Sequence, residues 1–134
     1  MKKNRNSTAA LSKLGQEFHL ATDVYREIEQ FACSLCGCRK LCSVNDVRYA
    51  MFCGKKGAIE SHNLPPCSNS LRLHVERANY QAAIWRRSLI AKQDIPNPNW
   101  FGWTVKADGS VRITWMSCEP APEAILELMA CCCS

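Results

Sequence analysis

Four thiols fall within ten residues: Cys33, Cys36, Cys38 and Cys42. Zinc takes four tetrahedral thiolate or imidazole ligands, and Cys-x-x-Cys is the usual chelating half. The run therefore has the ligand count for one zinc. Structural zinc sites ordinarily join two separated halves, whereas this is a single tight run beside a predicted helix end. The other reading, cysteines acting as small apolar residues, stays open beside it. Cys53, Cys67 and Cys118 stand alone and read as buried or neutral thiols. His19, His62 and His74 are scattered. The chain holds no HExxH, no glycine-rich phosphate loop and no pair of carboxylates set for acid–base work,. The expectation is a protein that is not an enzyme, with no small-molecule substrate.

The second candidate chemistry is electrostatic. The formal net charge is +5 and it is uneven. From Arg39 to Lys92 the chain carries ten basic residues against Asp46, Glu60 and Glu76; beyond Lys92 acids predominate. A basic segment attracts phosphate backbones without reading their sequence. Arg72, Arg77, Arg86 and Arg87 are the residues placed to make such contacts, with Trp85 beside the last pair. The partner implied is a nucleic acid or another protein.

Ten cysteines in 134 residues would suggest disulfides in a secreted chain,. No apolar stretch follows the basic start Met1–Ala10, so no secretory signal is read. No apolar run approaches the roughly 20 residues that span a bilayer. The expected location is intracellular, nuclear if nucleic acid is bound, with no membrane contact.

These residues must be held by an α+β domain: a small bundle of about four helices with one C-terminal β-hairpin packed on it. Residues 1–10 read as an unordered basic start, residues 11–130 as one domain and residues 131–134 as a cysteine-rich tail. Leu11, Leu14 and Phe18 suit a short helical arm broken by Gly15. Thr22 caps a helix with Val24, Ile28, Phe31 and Leu35 on one face, ended by Gly37. Ser43 opens the next, with Val44, Val47, Ala50 and Met51 inward and Gly54 at its end.

The long helix follows Pro65 and Pro66, with Ser68 as its cap. Leu71, Val75, Ala78, Ala82, Trp85 and Leu89 recur at spacings of four and three, which predicts one buried face. Arg72, Glu76, Asn79 and Arg86 fall on the far side. A coiled-coil seam would need a longer pattern than the roughly three heptads present.

After Asp94–Asn99 the period changes to two. Phe101, Trp103 and Val105 alternate, as do Val111, Ile113 and Trp115. A three-residue loop with Gly109 left-handed pairs Val105 with Val111 and Trp103 with Ile113, giving one apolar face. A lone hairpin is marginal in water, so that face is expected to pack on the helices. Trp85, Trp103 and Trp115 read as core; Trp100 has no assigned face. A short helix is read over Pro120–Ala130, with Ile125, Leu128 and Met129 as its apolar patch.

Four blocks carry a resemblance. They are VNDVRYAMFCGK at 44–55, LPPCSNSLRLHVERANYQAAIWRRSL at 64–89, FGWTVKADGSVRITWM at 101–116 and PAPEAILELMACCCS at 120–134. Over residues 14 to 134 the chain resembles a poorly characterised family of transposon-associated animal proteins. In that family a helical region leads to a Gly-Trp strand, an Ile-Thr-Trp-Met strand and a Pro-Ala-Pro helix. A cysteine-rich tail similar to tesmin-like CXC modules follows. Cys131 and Cys133 match the opening Cys-x-Cys pair of that tail, and the rest of it is not in this sequence. The resemblance implies a mobile-element-derived interaction module without catalysis. A zinc-stabilised adaptor using the 33–42 cysteines is the alternative, and a decayed copy without selected function is a third. The expectation is a truncated copy, to which DNA contact through the tail does not carry over.

Overall fold

A computed structural model describes residues 5–38, 40, 43–54 and 63–118. Four helices precede one antiparallel hairpin: α1 Arg5–Ser12, α2 Thr22–Leu35, α3 Val44–Gly54 and α4 Ser68–Arg86, then β1 Trp103–Val105 and β2 Val111–Ile113. The protein is a small α+β fold. The expected Pro120–Ala130 helix, the 131–134 tail and Cys42 lie outside the described residues.

Local chemistry sets each element. The first helix begins at Arg5, inside the stretch expected to be unordered, and its Ala10 is buried against Val24, Tyr25, Ile28 and Val75. Tertiary packing of that alanine gives a short, weakly biased segment a reason to be helical. In α2, Val24 and Ile28 face inward as expected, but Leu35 is exposed. The N-cap is Ala21, one residue before Thr22, and it makes no side-chain cap bond. Gly37, with φ +80°, turns the chain away after α2 while the Cys38 amide reaches the Cys33 carbonyl at 3.1 Å. That is the backbone closure a left-handed glycine permits at a helix end.

A second small core joins α2 to α3 through Cys33, Val44 and Val47, all but sealed from solvent. Burying each valine contributes about 1.5–3 kcal/mol. Glu29 sits at the junction of three helices: its Oε1 accepts from the Val44 amide at 3.2 Å and from the Ser68 hydroxyl at 3.1 Å. A carboxylate at two helix starts satisfies groups that have no intrahelical partner.

The hairpin has the expected register, Trp103 opposite Ile113 and Val105 opposite Val111. Gly109 takes φ +80°, its amide donates to Lys106, and Asp108 accepts from the Ser110 amide at 2.8 Å. The Ser110 contacts hold the Asp108 carboxyl below its ordinary range. The hairpin's apolar face does not bury itself as expected, however. Val111, Ile113 and Trp115 are exposed and Trp103 is half-buried. Strands of three residues offer too little face to seal, so the hairpin is fixed by its flanks instead.

Candidate interaction surface

The long helix α4 is the beam to which residues 12–18 and the hairpin are tied, and the ties are polar. Its N-cap is Cys67 rather than Ser68; Cys67 Sγ accepts from the Ser70 amide at 3.5 Å. Ser70's hydroxyl and amide, together with the Asn69 amide, hold the Cys67 thiol below its ordinary pKa against the opposing effect of burial. Cys33 is the reverse case, its thiol pushed up chiefly by burial.

Asn79 was expected on the outer side of α4, and it is buried. Its Oδ1 accepts from the Gly15 amide at 2.8 Å, and its Nδ2 donates to the Glu17 and Phe18 carbonyls at 2.9 and 2.8 Å. Arg86 donates to the carbonyls of Leu14 (2.7 Å) and Ser12 (2.6 Å). Arg87 donates to those of Gly15 (3.2 Å) and Gln16 (2.8 Å), and its guanidinium lies 4.8 Å from the Phe18 ring centre. One irregular stretch of backbone is thus gripped by three side chains at the end of α4. Non-helical backbone must find such partners when it is packed against protein.

On the other flank Arg77 does the same for the hairpin. It is 8% exposed and donates Nη1 to the Gly102 and Thr114 carbonyls at 3.1 and 2.7 Å. Its charged form is disfavoured by burial. The Trp115 indole lies over its guanidinium at 5.8 Å. Ser70 and Asn69 extend the seam, donating to the Trp115 carbonyl (3.2 Å) and the Ser117 hydroxyl (2.8 Å).

Two glycines make the close approach feasible. A Cβ on Gly15 would lie 2.5 Å from the Ala82 carbonyl carbon, and one on Gly102 would lie 2.6 Å from the Leu73 carbonyl oxygen. Both also hold positive φ, +78° and +76°. The aromatic core lies between these flanks. Tyr80 stacks on Phe101 at 4.8 Å, Phe18 tilts against Tyr80 at 5.7 Å, and Tyr80 Oη donates to the Pro96 carbonyl at 3.0 Å.

The expected apolar face of α4 is therefore displaced. Val75 is buried and Leu71 and Ala82 half-buried, but Ala78, Trp85 and Leu89 are exposed. Burial runs instead through Val75, Arg77, Asn79, Tyr80 and Ala83, around two flanks of the helix. Polar residues with several hydrogen-bonding groups can occupy a buried face when irregular backbone supplies the partners. Trp85 at 68% exposure and Leu89 at 98% stand beside exposed Ile90 as an open apolar stripe. Trp100 is exposed as well.

The four arginines expected to meet nucleic acid all have internal partners. Arg77 is sealed in the fold. Arg86 and Arg87 bind carbonyls, and Arg72 pairs with Glu76 at 3.0 Å while lying 5.6 Å from the Tyr25 ring centre. Of the expected zinc ligands, Cys33 is buried in the α2–α3 core, Cys36 is exposed and Cys38 half-buried. Among the described residues no three Cys, His, Asp or Glu side chains gather as a metal site. Glu17, Phe18, His19, Asp94 and Pro96 line an open groove of about 440 Å³. No described helix is long and apolar enough to cross a membrane.

Hydropathy alone hides Arg77 and Asn79, because it assigns both to the wet side. The signal for their role is indirect: glycines at 15 and 102, beside irregular segments that need close approach. No family model, curated protein or solved structure matches the chain.

Proposed function

We propose that this chain is a non-catalytic interaction module, of mobile-element descent by the resemblance of its sequence, which engages a protein partner through the open stripe of α4. The observation that carries this reading is the exposure of Trp85 in the last turn of a helix whose other flanks are fixed by Asn79 and Arg77, with Leu89 and Ile90 exposed in the turn beyond its end at Arg86. Large aromatic side chains on a rigid support favour interfaces, because little conformational freedom is lost on contact. Sequence-independent nucleic-acid contact is the weaker mode, since Arg77 is buried and Arg72 is paired with Glu76, which leaves Arg86 and Arg87 of the four.

A photoreactive side chain in place of Leu89 tests the reading in living cells. The expected result is a protein adduct at that position which Trp85→Ser abolishes. Absence of any protein adduct, or adducts with nucleic acid only, overturns it.

A further inference from the structure

We infer that the α4 stripe takes an acidic amphipathic helix from a protein partner. The inference rests on the interaction-module reading and supplies the chemistry of its partner. Three observations point to it.

The first is shape. Ala78 and Trp85 lie two turns apart on one helical face, with Leu89 and Ile90 in the turn that follows. Alanine permits a close backbone approach, and tryptophan provides the protruding group. A ridge spaced this way fits the groove of another helix.

The second is charge. Between Ala78 and Lys92 the chain has no acidic residue, and it has Arg86, Arg87 and Lys92. Carbonyl acceptors satisfy the hydrogen bonds of Arg86 without neutralising it, so its positive charge remains at the exposed end of the stripe. Glu17, the carboxylate nearest Arg87, is 3.8 Å away and itself largely exposed. Carboxylates on a partner helix complement such a rim and steer its approach.

The third disfavours a second copy. A two-fold pairing through this face would bring Arg86, Arg87 and Lys92 of both copies into one interface, because the same surface meets itself. Like charges gathered there oppose association.

Two synthetic amphipathic peptides with one shared leucine face test this on the full chain. One carries glutamate on its polar face and the other lysine. The expected result is binding of the acidic peptide at least tenfold tighter at low salt, weakening as salt rises. Trp85→Ser with Leu89→Ser should lower its affinity at least tenfold while the circular dichroism is unchanged. Equal affinity for both peptides overturns the inference, as does binding insensitive to the double variant. So does a Trp85-dependent dimer by sedimentation, or Trp85-dependent binding of duplex DNA that is tighter than that of the acidic peptide. The chain's own Glu123, Glu127, Ile125, Leu128 and Met129 share the partner chemistry. If Glu123→Lys with Glu127→Lys raises peptide affinity, the stripe belongs to that segment and the inference falls. Failure of the peptides with a positive Leu89 adduct in cells would reject the acidic helix alone; failure of both would reject the module.

Discussion

The gripped and open faces of α4 reverse the usual placement of polar and apolar residues. On the gripped flanks, a buried asparagine and arginine bind carbonyls of irregular backbone. On the open face Ala78 and Trp85 meet solvent, as does Leu89 just past the helix end. Polarity alone therefore does not decide which face of this helix is inside. What decides it is whether each buried polar group finds a partner, because an unsatisfied one costs about 1–3 kcal/mol.

The sharpest way to break the contrast is at Gly15. Gly15→Val adds a branched side chain at φ +78° and a clash with the Ala82 backbone. It should cost about 3 kcal/mol or more in urea unfolding. Asn79→Ala comes next. It removes three hydrogen bonds and leaves the Gly15 amide and two carbonyls without their partner; the expected loss is about 3 kcal/mol. Arg77→Leu should cost about 2 kcal/mol, since the Gly102 carbonyl still accepts from the Thr114 amide,. Hydrogen exchange should then rise in the hairpin before it rises in α2.

Tyr25 sharpens the picture at high pH. Burial, with help from Glu29, pushes its phenol up to about 12 from an ordinary 10.0. An acid whose pKa is raised by folding favours the native state while it stays protonated. Its contribution is therefore complete below pH 10 and is lost as pH climbs towards 12. Tyr25→Phe should flatten the alkaline limb of the stability curve between those values. The smallest effect belongs to the open face: Trp85→Ala and Leu89→Ala should each change stability by no more than about 0.5 kcal/mol. A large loss there would mean the stripe is part of the fold after all.

Parts of this molecule were legible in its sequence because their signals are local. The alternation around Ala107–Gly109 sets the hairpin register, and Gly37 and Gly54 mark the ends of α2 and α3. The α4 interior was not legible. Its four-and-three spacing points to Trp85 and Leu89, whereas burial is governed by carbonyls at residues 12–18 and 102–114, distant along the chain. The same gap explains the arginines. Charge and spacing mark them as available, and only the tertiary fold shows what each one binds.

Within Ser12–Phe18, Gly15, Gln16 and Glu17 are held chiefly by their main chain, whereas Phe18 is held also by its ring. Asn79, Arg86 and Arg87 reach oxygens that every amino acid carries, and the side-chain contact of Arg87 with Glu17, at 3.8 Å, is long and exposed. Gly15 is required by shape, and Leu14 and Phe18 by their packing. Positions 16 and 17 are accordingly a natural place to write foreign sequence into the molecule, with their path held by the helix beneath.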